Sequence, residues 1–470
     1  MIGTSTKFAS SFRDPSGYLF WRNGQLYRRI NSIYFCNYEH LMKSGLYNTL
    51  INERLLIGHE EVAALADDSG PSTIIKPKIV PFISYPYEWS FSQLKHAALA
   101  TLTIQKKAME YGMVLKDSSA YNIQFYQGQP ILIDTLSFEK YNVGDVWVAY
   151  KQFCQHFLAP LALMSTRDIR LGQLLKIYID GIPLDLTSML LPWATRMNFG
   201  LLMHIHLHAK SQKYFSDKLI KVKRPKMNRI ALLGLIDDLK SVITGLKWKP
   251  LGTEWAEYYE NANYSSEAFS QKKFLLSQFL GEIKIRTVWD LGANTGIFSR
   301  LAADKGLSVV SFDIDPAAVE RNYLDCLQEK QSHVLPLILD LTNPSSDIGW
   351  ANEERMSLHH RGPVDAIFAL ALIHHLAISN NLPLEKLADF FSKLCRYLII
   401  EFIPKNDSNV QKLLASRKDI FPEYTVEGFE MAFSEYFAIK SKIQIKNSCR
   451  TLYFMSSKGA LYSGHDMDIN

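Results

Sequence analysis

Thr287-Val-Trp-Asp-Leu-Gly-Ala-Asn-Thr-Gly-Ile-Phe-Ser299 is the stretch on which the fold turns. Thr287, Val288 and Trp289 are β-type residues that lead into Asp290; Gly292, Asn294 and Gly296 then form a turn that opens a helix near Ile297. A strand, a glycine turn and a helix make a corner where backbone can approach a ligand, because side chains are missing there. The glycine spacing is not the G-x-G-x-x-G of dinucleotide folds, and no Lys-Ser/Thr follows as in a phosphate loop. No phosphate cradle is expected, whereas a ligand built of a nucleoside and an amino acid suits the loop.

Further apolar runs follow in series. Leu307-Ser-Val-Val-Ser-Phe-Asp313-Ile-Asp315 reads as a second strand ending in acid, and the Asp313 carboxylate offers two oxygens to the hydroxyls of a ribose. Val334-Leu-Pro-Leu-Ile-Leu339 ends at Asp340-Leu341-Thr-Asn343, where an acid or amide can accept from the exocyclic amine of adenine. A fourth run, Ala366 to Ile373, ends at His374-His375-Leu376, and a fifth, Tyr397-Leu-Ile-Ile-Glu401-Phe-Ile403, runs into Pro404-Lys405. Apolar strands with polar C-terminal tips, separated by helical segments, describe a doubly wound parallel sheet with its site along one edge.

The series DLGANTG, FDID, LDLTNP and ALIHHL resembles a class I S-adenosylmethionine (SAM)-dependent methyltransferase over about Trp255 to Gly459. The resemblance implies a Rossmann-like α/β sheet of seven strands, closed by an antiparallel hairpin from Phe437–Ile445 and Cys449–Met455. It implies SAM as cofactor, with Asp290, Gly292, Asn294, Gly296, Asp313, Asp340 and Leu341 around it. Methyl transfer asks mainly for alignment of nucleophile, methyl and sulfur. A base is needed only where the acceptor must lose a proton, and His374 or His375 suits that role near neutral pH. The same histidines also read as a strand cap and a packing residue. Glu401 is either an orienting group or a buried acid satisfied by backbone.

Composition is that of an ordinary globular protein: 470 residues, 47% hydrophobic, 21% charged, formal net charge +5. That charge neither demands nor excludes nucleic acid. Cys36, Cys154, Cys326, Cys395 and Cys449 are scattered and none lies at C-x-x-C spacing, so neither a disulfide framework nor a metal site is expected. No secretory leader or transmembrane run is read, and the expected location is cytoplasmic, without membrane insertion.

The first half, residues 1–250, reads as a separate α+β domain, and 251–470 as the methyltransferase domain, with the joint near 248–254. Tyr18 to Ile30 reads as a β-hairpin, Phe91 to Tyr111 as a long helix, and Asn228 to Lys240 as an amphipathic helix. Asp117 and Asn122 precede a short hairpin that ends at Asp134. This pattern resembles kinases and aminoglycoside phosphotransferases, in which the loop Asp positions a hydroxyl while the Asn and second Asp hold metal. It departs from them: Leu115 stands where His is usual, Thr135-Leu136 follows Asp134 in place of Phe-Gly, and no glycine-rich loop or β3-type lysine is found. A degenerate kinase-like scaffold or substrate-recognition domain is expected. His204 and His208 share a helical face at a zinc-compatible spacing, though no Glu or Cys completes a site. The basic run Lys218 to Lys226 suits a solvated linker, RNA phosphates or anionic lipid.

The expected function is methyl transfer to a small molecule, glycan or natural-product intermediate. The alternatives are an RNA or ribosomal-protein acceptor, and a non-catalytic nucleotide- or partner-binding protein. The two-domain layout resembles bacterial nodulation-associated methyltransferase-like proteins.

Overall fold

Asn23 and Gly24, both in the left-handed region, close a two-residue turn between β2 (Gly17–Arg22) and β3 (Gln25–Ile30), as hairpin twist requires. With β1 (Thr6–Lys7), β4 (His59–Val62) and β5 (Thr73–Pro77) they form a five-stranded antiparallel sheet in the order β1-β2-β3-β5-β4. This computed structural model describes residues 6–62, 73–210, 226–250, 265–415 and 418–459. The helix Phe91–Glu110 follows, opened by a capping box between Ser90 and Gln93 and burying Leu94, Ala97, Ala98, Leu102 and Met109. Next come β6 (Met113–Leu115), the hairpin of β7 (Ile123–Tyr126) and β8 (Gln129–Leu132), and β9 (Phe138–Lys140), which pairs antiparallel with β6. The expected amphipathic helix after Asn228 spans Arg229–Gly245.

Two compact units divide the chain: Met1–Lys249 with Asp347–Arg355, and Pro250–Ser346 with Met356–Asn470. The second is built on a seven-stranded sheet of β10 (Thr287–Leu291), β11 (Ser308–Asp313), β12 (Val334–Ile338), β13 (Val364–Ala369), β14 (Cys395–Phe402), β15 (Phe437–Gln444) and β16 (Thr451–Ser457). Its order is β12-β11-β10-β13-β14-β16-β15, with β10 to β14 parallel and β16 antiparallel to both neighbours. The inner strands read as near-continuous apolar runs because helices cover both faces. One such face packs Val288, Phe368, Ile399 and Phe454 against Phe279 and Phe298. The strand order reverses between β10 and β13, and a crevice opens at such a switch point outside the carboxyl ends of the strands.

One expectation needs correction. The run Ala366 to Ile373 is not strand throughout: β13 ends at Ala369, Ala371 turns the chain at φ +52°, and His375–Ser379 form a π-helical turn. His374 and His375 therefore lie beyond the strand tip, on the turn that follows it. An unbroken apolar run hid this, because β-strand and buried helix share that pattern.

Candidate cofactor site

A cavity of about 430 Å³ lies at the carboxyl ends of β10 to β13, lined among others by Lys272, Gly292, Asp313, Asp340 and His375. Gly292 N and Ala293 N both donate to Phe312 O at 2.9 Å, which stitches the turn after β10 to the end of β11. Gly292 has φ +74°, and a Cβ there would come within 3.1 Å of Leu372 Cδ1.

Asp313 is fixed by two backbone N–H groups, Asn294 N to Oδ2 (2.7 Å) and Asp315 N to Oδ1 (2.9 Å). Burial pushes its carboxyl up to about 6, against the pull of those N–H groups. A carboxylate oxygen can accept from more than one donor. Asp340 Oδ1 accepts from Thr342 N (2.8 Å) and Thr342 Oγ1 (2.6 Å), while Oδ2 takes no hydrogen bond from the described residues. Between these acids, Phe312, Ile314, Leu339, Leu341 and Leu372 give an apolar slot suited to a flat base. Ile314 is 56% exposed at its rim.

Asn294 and Leu341 also line the cavity, whereas Asp290, Gly296 and His374 stand back from it. Asp290 is buried, accepts from Ser299 Oγ at 2.6 Å, and is pushed up to about 7 by burial. Gly296 starts the helix Ile297–Ala303 at φ +75°, where a Cβ would lie 2.2 Å from Asn322 Oδ1, so it serves close packing. His374 has no exposed surface, and its two ring nitrogens find no hydrogen-bond partner among the described residues. Burial holds it well below the usual imidazole range. His375, with its ring centroid 4.0 Å away, lines the cavity and is lowered to about 4 by burial.

Glu401 is also set back, and it leads to a residue that sequence reasoning missed. Lys272 Nζ donates to Glu401 Oε2 at 2.5 Å and lines the cavity. Behind the pair, Arg450 Nη1 lies 3.7 Å from Glu401 Oε1, and Arg450 grips Asp407 through Nε (2.8 Å) and Nη2 (3.2 Å). Burial lowers the lysine, opposed by the Glu401 charge. A signal was present: on the helix Ser266–Gly281, Lys272 falls in register with buried Ala268, Leu275, Leu276 and Phe279, one charge on an apolar face.

No family model matches the sequence. The nodulation protein NoeA of Rhizobium meliloti (strain 1021) is 35% identical over 463 residues, 95% of this chain and 95% of that one. The chain belongs to the NoeA family. Solved structures similar to part of it include N-methyltransferase NodS from Bradyrhizobium japonicum WM9 with S-adenosyl-L-homocysteine: 13% identity, 44% of this chain, all of that one, TM-score 0.31. Another is magnesium protoporphyrin IX methyltransferase from Synechocystis PCC 6803 with bound SAH: 18% identity, 40% of this chain, 84% of that one, TM-score 0.30.

In the N-terminal unit of this NoeA-family chain, Asp117, Asn122 and Asp134 come together. Asp117 Oδ1 accepts from Ser119 N at 2.9 Å, and its carboxyl is raised by burial, partly offset by hydrogen bonds that include Asn122. Asp134 Oδ2 accepts from Ser137 Oγ at 2.6 Å, and Oδ1 pairs with Arg28 Nη1 at 2.7 Å. Arg28 Nη2 also holds Asp14, at 2.8 Å. A guanidinium thus occupies the carboxylate that a metal would need. His204 bonds Tyr150 and Asp238, and His208 stacks on Tyr150, so both have protein partners. The basic run 218–226 lies, except for Lys226, outside the described residues.

Proposed function

We propose that this chain is a SAM-dependent methyltransferase acting on a small molecule, glycan or natural-product intermediate. The observation that carries this reading is the convergence of Gly292, Asp313 and Asp340 on one cavity at the sheet's switch point. Bare backbone at Gly292 admits the amino-acid part, Asp313 receives the ribose hydroxyls, and Asp340 Oδ2 receives the adenine amine above the slot of Ile314 and Leu341. When bound, SAM supplies a methyl group on a sulfonium that is already a good leaving group. The chain's part is to align the acceptor and exclude water. In this reading His375, which lines the cavity and is neutral at pH 7 because burial lowers it to about 4, takes a proton from the acceptor as a weak base.

The N-terminal half acts in this reading as a recognition or scaffold domain without phosphoryl transfer, which the Arg28–Asp134 pair supports. The relative's designation as a nodulation protein names no acceptor. Titration with S-adenosyl-L-homocysteine in a calorimeter tests the cofactor assignment. Micromolar binding that Gly292→Arg abolishes is the expected result, and a folded protein that takes up no ligand overturns it.

A further inference from the structure

A ligand built of a nucleoside and an amino acid brings a carboxylate into the cavity as well as a ribose and a base. A carboxylate taken out of water needs a cation or several N–H donors. Among the described residues that line the cavity, Lys272 is the one cation. Its surroundings fix which end of the cavity it serves. Nζ lies 4.8 Å from the centre of the Phe298 ring, and its charge opposes the rise that burial gives the Asp290 carboxyl. Asp290 stands two residues before Gly292, and Phe298 two residues after Gly296. The ammonium is therefore beside the turn at which the amino-acid part is proposed to lie. Phe269, one helical turn ahead of Lys272, lines the cavity with it.

Packing alone gives no reason for a lysine at this position. Replacing a buried ion pair by apolar residues of similar volume is often neutral or stabilising, so the helix could be tied to β14 without charge. What the pair with Glu401 does supply is a fixed ammonium. Arg450 is held chiefly by Asp407, at 2.8 and 3.2 Å, and stands 3.7 Å from Glu401, which bonds Lys272 at 2.5 Å. An ammonium has three N–H donors, so a ligand carboxylate can bind Nζ together with Glu401. A charge-assisted bond of this kind counts for more in a buried site than in water.

We propose that Lys272 recognises the carboxylate of the bound cofactor, with Glu401 as its positioning residue, and so selects ligands with an intact amino-acid end over decarboxylated ones. This rests on the methyltransferase reading and adds the group that reads the amino-acid end.

The test is calorimetric titration of the full chain with two probes. One is S-adenosyl-L-homocysteine; the other is S-adenosyl-3-thiopropylamine, which keeps the adenosine, the sulfur and the amine but lacks the carboxylate. The wild-type chain should bind the first about tenfold to a hundredfold more tightly, the worth of a hydrogen bond to a charged group. Lys272→Met with Glu401→Leu should lose that preference: S-adenosyl-L-homocysteine weakens by about the same factor, and the amine stays within about twofold. Changing both residues leaves neither charge buried without its partner. Equal affinity of the wild-type chain for the two probes overturns the proposal, and this comparison needs no variant to fold. So does a double variant that keeps the preference, or one that loses both probes in parallel, as a purely structural pair would. A folded wild-type chain that binds neither probe overturns the methyltransferase reading itself, which separates the two failures.

Discussion

Lys272 and Glu401 meet through a 2.5 Å ion pair in which neither side chain is more than 3% exposed. It ties the helix Ser266–Gly281 to the carboxyl end of β14, and Lys272 lines the cavity. Removing one partner leaves a buried charge without compensation, which costs about 3–5 kcal/mol. Glu401→Ala should therefore lower the denaturation midpoint strongly, while Lys272→Met with Glu401→Leu should recover most of the loss. Equal stability of Glu401→Ala and wild type would show that the pair does not form.

The two turn glycines should separate in their effects. Gly296→Ala places a methyl against Asn322 and should cost roughly 2–4 kcal/mol of stability from strain and overpacking. Gly292→Ala meets only Leu372 Cδ1, at 3.1 Å, so its stability loss should be smaller, about 1–2 kcal/mol. Its larger consequence should be about tenfold or more weaker S-adenosyl-L-homocysteine binding, since Gly292 and the Leu372 it would press both line the cavity. Calorimetry and chemical denaturation on both variants check the split.

Asp313, pushed up to about 6, should make ligand binding pH-dependent. Only its ionised form accepts from both ribose hydroxyls, so affinity should be flat above about pH 7 and fall as pH drops through about 6. Without ligand the sign reverses for stability. The folded state holds this proton more tightly than the unfolded chain, so the Asp313 contribution declines as pH rises from about 4 to 6. Asp313→Asn should flatten both profiles and weaken binding by about 1.5–3 kcal/mol. An unaltered profile would place the ribose elsewhere.

The adjacent histidines should behave oppositely. His374 is buried with unbonded ring nitrogens among the described residues, so His374→Leu should leave stability within about 1 kcal/mol of wild type or raise it. His375→Ala should fold normally and lower turnover by about 10²–10⁴ where the acceptor must lose a proton. Full turnover in both variants would exclude base catalysis by either.

Arg28 should govern the N-terminal acids. In the wild-type chain, manganese should find no site at Asp134, because the guanidinium already holds it. Arg28→Ala should cost about 1.5–3 kcal/mol of stability through the lost charged hydrogen bonds. Manganese binding to the wild-type chain, lost in Asp134→Asn and seen by electron paramagnetic resonance, would overturn the scaffold reading.

Much of the second unit was legible because its signals are local. Positive-φ glycines, the acids that close β11 and follow β12, and apolar runs of strand length are properties of a few consecutive residues. The hairpin at Asn23-Gly24 and the helix from Phe91 were readable on the same grounds. The helical turn that carries His374 and His375 was not, since a run buried on all sides has no period to betray its form.

By itself, then, the sequence determined the strand–turn–helix corner at Gly292 and the acids Asp313 and Asp340 at strand ends, which the structure brings to one cavity. Only the tertiary structure decided that Gly296 serves Asn322, that Glu401 belongs to Lys272, that Arg28 closes Asp134, and that Trp193 stands in water. Each of these depends on which distant residue fills the neighbouring space. Burial, which turns a charge into a cost or an ion pair into a requirement, exists only after the chain has packed.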